Sequence, residues 1–72
     1  MTIEKKYESS GYPLAEVDQA ELRADYRDKG VVRAARDAGV DAKTFLRGMA
    51  GAGLYPSSLA KLTAYAIARR SA

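Results

Sequence analysis

The chain has 72 residues, which is enough for one domain with a thin hydrophobic core. It contains no cysteine and no histidine, so disulfides, thiolate nucleophiles, sulfur-ligated zinc and imidazole catalysis are excluded. The remaining carboxylates, lysines and hydroxyls form no recognisable catalytic constellation. We therefore expect no enzyme activity, no metal site and no cofactor.

The N-terminus, Met-Thr-Ile-Glu-Lys-Lys, has no apolar run behind its lysines and does not resemble a signal peptide. Apolar runs elsewhere are a few residues long, against the roughly 20 needed to cross a bilayer. These features predict a cytoplasmic protein that does not act at a membrane.

Charge is unevenly distributed along the chain. Residues 1–28 carry seven acidic and four basic side chains, a net of −3, whereas residues 29–72 carry eight basic and two acidic side chains, a net of +6. Such an asymmetry is typical of a protein whose second part faces a polyanion. Charge alone leaves open the simpler alternative that the lysines and arginines only solvate helices.

The N-terminal residues 1–13 differ from the rest of the chain. Their run Tyr-Glu-Ser-Ser-Gly-Tyr-Pro has turn chemistry, with glycine and proline as breakers, and predicts an extended or partly disordered arm. Leu14 and Val17 are expected to dock this arm, or a short turn of helix, onto the core. The following alanine-rich sequence has glycines only at breaks, which predicts one helical domain over residues 14–72.

Four helices are predicted in this domain. The first begins at Asp18, a good N-cap residue with Glu21 at the capping-box spacing. Its buried face carries Leu22 and Tyr26, which stand four residues apart. Gly30 is expected to stop this helix by taking a left-handed conformation.

The second helix is short, spans residues 31–38 and ends at Gly39. Asp41 is predicted to cap a third helix over residues 42–50, which buries Phe45. Ser57 or Ser58 is predicted to cap the last helix. The apolar stripe of that helix has the i, i+3, i+7, i+8 spacing and consists of Leu59, Leu62, Ala66 and Ile67. Its basic end, Arg69-Arg70, suits the negative end of the helix dipole, with a phosphate contact as the alternative.

The most informative segment is the predicted helix pair within residues 31–51. Two helices that cross steeply through a short turn need a small residue at the crossing and a residue tolerant of positive φ in the turn. They also need apolar side chains that fill the space between them. Ala35, Gly39, Val40 and Phe45 meet these requirements at the required offsets.

This pattern resembles the lambda-repressor-like helix-turn-helix family. The residues that carry the resemblance are Ala34-Ala35, Ala38-Gly39-Val40, Thr44-Phe45, Gly51, Tyr55-Pro56-Ser57-Ser58-Leu59 and Leu62. They cover roughly residues 22–66, and small phage, plasmid and antitoxin regulators share the pattern. The resemblance implies an all-α fold: a compact domain of four helices, or five with a short turn near residue 14, behind an extended N-terminal arm.

Two positions depart from the family pattern. Gly48 stands where the family usually has a large apolar residue, which would either loosen the third helix or let another side chain pack closely there. Val31 and Val32 start the second helix, where the family often has glutamine or serine to hold a phosphate. The backbone N–H groups of this helix N-terminus are therefore the expected anchor.

The resemblance implies a sequence-specific transcriptional regulator, most simply a repressor, found at the nucleoid when bound to duplex DNA. Its helix over residues 42–50 would lie in the major groove. The candidate base-reading residues there are Ala42, Lys43, Thr44 and Arg47, with Leu46 and Ala50 also facing solvent. Arg47 has the two-pronged donor geometry that suits guanine. The candidate phosphate contacts, which position the protein without reading sequence, are Arg33, Arg36, Tyr55, Ser57, Ser58 and Lys61.

Several of these residues have simpler structural alternatives. Thr44 could be plain helix surface, Tyr55 could belong to the core, and Arg36 could pair with Asp37 or Asp41.

The alternative function is a protein-binding helix-turn-helix module, of the anti-activator or antitoxin type. Its partner would bind the acidic N-terminal part, which contains Tyr7, Tyr12 and Tyr26. The retained basic side chains of the helix pair favour DNA instead. We also expect a homodimer on two half-sites about one helical turn apart, with its interface on the last helix or on the arm.

Overall fold

The structure, a computed structural model, describes residues 11–72 of the chain. This part is all-helical and contains no strand, which confirms the predicted all-α class. Residues 1–10 of the predicted arm, including Tyr7, lie outside the described residues. The helices are α1 (Glu16–Ala38), α2 (Ala42–Met49) and α3 (Pro56–Ser71).

Helix α1 runs on where the sequence predicts two separate helices. Gly30 has φ 82° and ψ 163°, so it leaves the helical region, and the chain is helical on both sides of it. Residues other than glycine rarely adopt such angles. Gly30 therefore interrupts α1 with a sharp kink between the helical segments 16–29 and 31–38, and residues 11–72 form three helices rather than four. Leu14 is buried in chain that precedes α1 and is not helical.

Helix α1 begins three residues earlier than predicted. Its first residue is Glu16 and Ala15 occupies the N-cap position, so the expected cap at Asp18 is wrong. The backbone N–H of Asp18 already donates to the Ala15 carbonyl at 3.0 Å. The carboxylate of Asp18 instead pairs with Arg70 of α3, which is a partner that the local sequence does not reveal.

Helix α3 also begins earlier than predicted. It starts at Pro56 with Tyr55 at the N-cap position, so neither Ser57 nor Ser58 caps it. Proline suits the first position of a helix because it has no N–H to leave unpaired and its φ is already helical. The two serines therefore lie within the first turn of α3, where their side chains are free for other contacts.

The core lies where the three helices meet. Its buried apolar residues are Leu14, Leu22, Ala34, Ala35, Ala38, Phe45, Leu54, Leu62 and Ala66. The predicted inward positions of α3 are confirmed at Leu62 and Ala66 but are wrong at Ile67, which is 45% exposed. Val17 is 54% exposed and does not dock onto the core. Leu14 is the residue whose side chain anchors the described chain before α1 in the core.

Gly48 lets the core close tightly around α2. A Cβ atom at this position would lie 2.7 Å from Cδ1 of Leu62 and 3.3 Å from Cδ1 of Leu22. The absent side chain is thus replaced by leucines from both neighbouring helices. Of the two expectations for Gly48, close packing is the one that holds.

On the buried face of α1, an aspartate lies where the sequence predicts Tyr26. Asp25 is fully buried, whereas Tyr26 is 41% exposed. The Asp25 carboxylate accepts hydrogen bonds from the hydroxyl of Tyr65 at 2.5 Å and from Nη1 of Arg69 at 2.8 Å. Lys29 Nζ lies 3.3 Å away. Periodicity alone favours the tyrosine, because Tyr65 and Arg69, which donate to Asp25, stand on a helix far along the chain.

The turn between α1 and α2 is closed by two backbone hydrogen bonds. Gly39 is left-handed, with φ 81° and ψ 26°. Its N–H donates to the Arg36 carbonyl at 3.1 Å, and the N–H of Val40 donates to the Ala35 carbonyl at 3.0 Å. This Schellman arrangement satisfies carbonyls at the helix end. The prediction that Gly39 turns the chain with a positive φ is confirmed.

We expect Gly39→Val to lower the free energy of unfolding by about 1–3 kcal/mol, because a β-branched residue strongly resists positive φ. No atom lies within 4 Å of a Cβ placed at Gly39, so the loss would come from the backbone and not from a clash. Gly39→Asn is the matched control, since asparagine tolerates the left-handed region. Urea unfolding of both variants measures the difference. Equal losses would contradict backbone strain as the cause.

We expect Asp25→Ala to lower the free energy of unfolding by about 2–3 kcal/mol, since it removes the acceptor shared by Tyr65, Arg69 and Lys29. Asp28→Ala is the matched control: Asp28 is exposed on the same helix, and we expect an effect within about 0.5 kcal/mol. Denaturant unfolding at neutral pH compares the two variants. Similar stabilities would show that the buried carboxylate contributes no more than a surface one.

Candidate nucleic-acid interface

Ion pairs join the acidic side of α1 to the basic end of α3. Arg69 contacts Glu21 at 2.9 Å and Asp25 at 2.8 Å, and Arg70 pairs with Asp18. The basic end of α3 therefore neutralises carboxylates of α1. In the free protein these two arginines form ion pairs with α1 and not the phosphate contacts predicted as the alternative.

Lys29 is neutralised within the protein as well. Its Nζ lies 2.6 Å from Asp37 and 3.3 Å from Asp25, and 5.8 Å from the ring centre of Tyr65. The hydrogen bond with Asp37, and then the neighbouring Tyr65, raise the pKa of Lys29, and the same bond to Lys29 lowers the pKa of Asp37. Arg36 forms no ion pair among the described residues, so its suggested pairing with a neighbouring aspartate is wrong.

Five basic side chains from the second half of the chain are exposed and form no ion pair within residues 11–72. They are Arg33, Arg36, Lys43, Arg47 and Lys61. No acidic residue follows Asp41 in the sequence, so α2, its following loop and α3 carry positive charge alone. Of the eight lysines and arginines after residue 28, three thus pair with carboxylates within the protein and five face solvent.

Helix α2 begins at a charged cap. The Asp41 carboxylate accepts a hydrogen bond from the backbone N–H of Thr44 at 2.8 Å, which confirms the predicted cap. Hydrogen bonds from Thr44 lower the pKa of Asp41. A carboxylate at this end of the helix is also favoured by the helix dipole. The cap fixes where α2 starts and therefore which residues face outward.

The outer face of α2 contains two of the four predicted base-reading residues. Lys43 and Arg47 are exposed one turn apart, whereas Ala42 and Thr44 are half-buried. Leu46, at 41% exposure, lies beside them on the same side of the helix. Two long cationic side chains and an apolar one therefore form the accessible surface of this helix.

Arg47 is held by the loop that follows α2. Its Nη2 donates to the Gly53 carbonyl at 2.6 Å. Its own carbonyl accepts from the N–H of Ala52 at 3.0 Å, while Gly51, with φ 80°, donates to the Gly48 carbonyl at 3.2 Å. The end of α2 is thus a second Schellman turn. Arg47 contacts this turn through both its backbone and its side chain.

A concave pocket of about 330 Å³ lies between α2 and the start of α3. Its lining residues are Thr44, Arg47, Gly53, Leu54, Tyr55 and Ser58. Two predicted base-reading residues and two predicted phosphate contacts therefore meet at one pocket. Their hydroxyls, the guanidinium and the aromatic ring give a surface that suits an anion with sugar or base edges beside it.

Most of the predicted phosphate contacts at the start of α3 face solvent. Tyr55 is 67% exposed, so the alternative that places it in the core is wrong. Ser57 is exposed and Ser58 half-buried in the first turn of α3. Lys61 is exposed and its Nζ donates to the carbonyl of Gly39 at 3.4 Å. Lys61 therefore brings its charge to the turn between α1 and α2.

Sequence reasoning missed the support that surrounds Arg47. The Gly53 carbonyl, which accepts from its guanidinium, belongs to a glycine-rich segment that the sequence identifies only as a break. Arg23 of α1 donates to the carbonyl of Met49 at 3.1 Å and so holds the end of α2 from the other side. Neither contact has a sequence signal, because each joins a side chain to a backbone carbonyl far along the chain or in an irregular loop.

Among residues 11–72, no group of three or more acidic side chains is arranged to hold a metal ion. None of the three helices combines the length and the apolar character needed to span a bilayer. The accessible chemistry of this face consists of guanidinium, ammonium and hydroxyl groups.

Comparison of the chain with protein-family models, with curated proteins and with solved structures yields no match. The resemblance to the lambda-repressor-like family stays a prediction, carried by the residues quoted for it.

Proposed function

We propose that this protein is a sequence-specific duplex-DNA-binding regulator of transcription that acts as a repressor without catalysing a reaction. Residues 31–51 would be its helix-turn-helix, with the part of α1 after the Gly30 kink as the first helix and α2 as the reading helix. The observation that carries this proposal is the separation of charge. Five cations are left facing solvent around these elements, while four carboxylates of α1, those of Asp18, Glu21, Asp25 and Asp37, pair with Lys29, Arg69 and Arg70.

The roles of individual residues follow from their exposure. Arg47 and Lys43 would reach base edges in the major groove, where a guanidinium suits guanine. Thr44, which lines the pocket, would contact the backbone or the methyl group of a thymine. The phosphate contacts would come from the exposed residues on the flanking elements, together with the half-buried Ser58, namely Arg33, Arg36, Tyr55, Ser57, Ser58 and Lys61.

A protein partner bound to the acidic part of α1 is the less favoured function. Asp18, Glu21 and Asp25 of that part are already paired within the protein. An interface there would have to break these pairs or use the exposed side chains Tyr12 and Tyr26 instead. DNA binding needs no such rearrangement, because the five cations that would contact DNA form no ion pair within residues 11–72.

We propose further that two copies bind together. One reading helix contacts a single half-site, and helix-turn-helix proteins commonly occupy two half-sites a helical turn apart. An exposed strip of α3 formed by Ala60, Ala64 and the 45%-exposed Ile67 is uncharged, which makes it one candidate for the contact between copies.

The affinity for duplex DNA is expected to fall steeply with salt, because phosphates neutralised by lysine and arginine release counterions. Five solvent-facing cations limit the slope of log K against log salt concentration to about −4 to −5 for each protomer. Fluorescence anisotropy with the DNA that flanks the protein's own gene measures this slope. Absence of binding to every duplex at low salt would remove the proposal and favour the protein-partner function.

Arg47→Ala and Lys61→Ala are expected to weaken DNA binding in different ways. Loss of Arg47 should cost about 1–3 kcal/mol on the best site and flatten the preference at one or two base pairs. Loss of Lys61 should weaken all sequences alike and reduce the salt slope by about one unit or less. Both side chains are exposed and bond only to carbonyls, so both variants should keep wild-type helicity.

Binding of both variants to a randomised-site library at two salt concentrations separates these effects. Equal, sequence-independent losses would mean that Arg47 contacts phosphate. No loss for Arg47→Ala would place the reading surface on another element than α2.

A further inference from the structure

We infer that residues 11–12, which we term the strap, determine how sharply Arg47 discriminates between base sequences. The strap does so by fixing the loop that holds the Arg47 guanidinium. The inference rests on the proposed function, since discrimination presupposes DNA binding.

The strap is joined to the loop by an isolated antiparallel bridge. The N–H of Tyr12 donates to the Leu54 carbonyl at 2.9 Å, and the N–H of Leu54 donates to the Tyr12 carbonyl at 2.9 Å. A Cβ atom on Gly11 would lie 2.5 Å from the Leu54 nitrogen and 2.8 Å from the Gly53 carbonyl carbon. The two backbones therefore meet at a distance that only glycine permits.

Both sides of this bridge are anchored in the core. Leu54 and Leu14, which follows the strap closely in the chain, are each 3% exposed. The Gly53 carbonyl lies immediately before the bridged residue, so the bridge restricts its direction. That carbonyl accepts the 2.6 Å hydrogen bond from Nη2 of Arg47. The strap is thus connected to Arg47 through the peptide group that joins Gly53 to Leu54.

The contact leaves Arg47 able to read a base. A guanidinium has five N–H donors in a planar fork, and Gly53 takes one of them. A guanidinium that is already held loses less freedom when it binds than one that rotates freely. A guanidinium released from the loop would instead contact whichever phosphate is nearest. Such a contact does not discriminate between base sequences.

The end of α2 has other support, so the fold does not depend on the strap. Arg23 donates to the Met49 carbonyl at 3.1 Å, and the side chain of Gln19 lies 3.1 Å from where a Cβ atom of Gly51 would stand. Both come from α1. Weakening the bridge should therefore free the loop while α2 stays in place.

Gly11→Ala tests the inference because its Cβ cannot fit against Leu54. Tyr12→Pro is a second variant, which removes the N–H donor of the bridge together with the exposed tyrosine ring and fixes φ at this position. Val17→Ala is the control, a truncation of an exposed side chain nearby. Three quantities are measured: amide hydrogen exchange at Leu54, NMR relaxation of the Arg47 side chain, and the ratio of affinities for the best site and an unrelated duplex.

For both strap variants we expect Leu54 exchange to quicken at least about tenfold and the Arg47 side chain to become more mobile. The affinity ratio should fall about three- to tenfold, with affinity for the unrelated duplex nearly unchanged. The control should match the wild type in all three. If Gly11→Ala fails to fold, Tyr12→Pro decides the result alone.

Faster Leu54 exchange together with an ordered Arg47 and an unchanged affinity ratio would overturn the inference while DNA binding stands. Failure of the wild-type protein to bind any duplex would overturn the proposed function first. The two failures are therefore distinguishable.

Discussion

The packing of α1 against α3 is centred on the fully buried carboxylate of Asp25, with the buried Asp18 paired to Arg70 beside it. Asp25 is fully buried and accepts from Tyr65 and Arg69 of α3 and contacts Lys29 of its own helix. A carboxylate is an acceptor only, and an unpartnered buried charge is strongly unfavourable. The position of α3 along α1 is therefore restricted to the one that brings its hydroxyl and guanidinium to this group. Burial and the bond to Asp25 raise the pKa of Tyr65, which keeps it a donor.

This constraint also sets the geometry of the opposite end of the molecule. Because the C-terminal half of α3 is fixed on α1, its first turn is brought beside α2, where Tyr55 and Ser58 complete the pocket with Thr44 and Arg47. Leu62, in the middle of α3, packs where Gly48 lacks a side chain. A larger residue at position 48 would push α3 outward and open the pocket.

The same contacts sort the charges of the protein. Lys29, Arg69 and Arg70 are neutralised by carboxylates of α1. The other five basic side chains of residues 29–72 face solvent on the elements around the turn at Gly39. A chain with a net charge of only +3 thus presents a surface whose local charge is far more positive than its average. Such a local field raises the rate of encounter with a polyanion and is weakened by salt.

The sequence by itself determined the features that depend on neighbouring residues. The left-handed turn at Gly39, the Asp41 cap and the buried positions of Leu22, Phe45, Leu62 and Ala66 follow from local backbone preferences and helical periodicity, which act over a few residues. The rest depends on tertiary contacts. Asp25 replaces Tyr26 in the interior because its donors Tyr65 and Arg69 are distant in the chain. Arg47 is held by Gly53, which lies in irregular backbone that has no sequence signature.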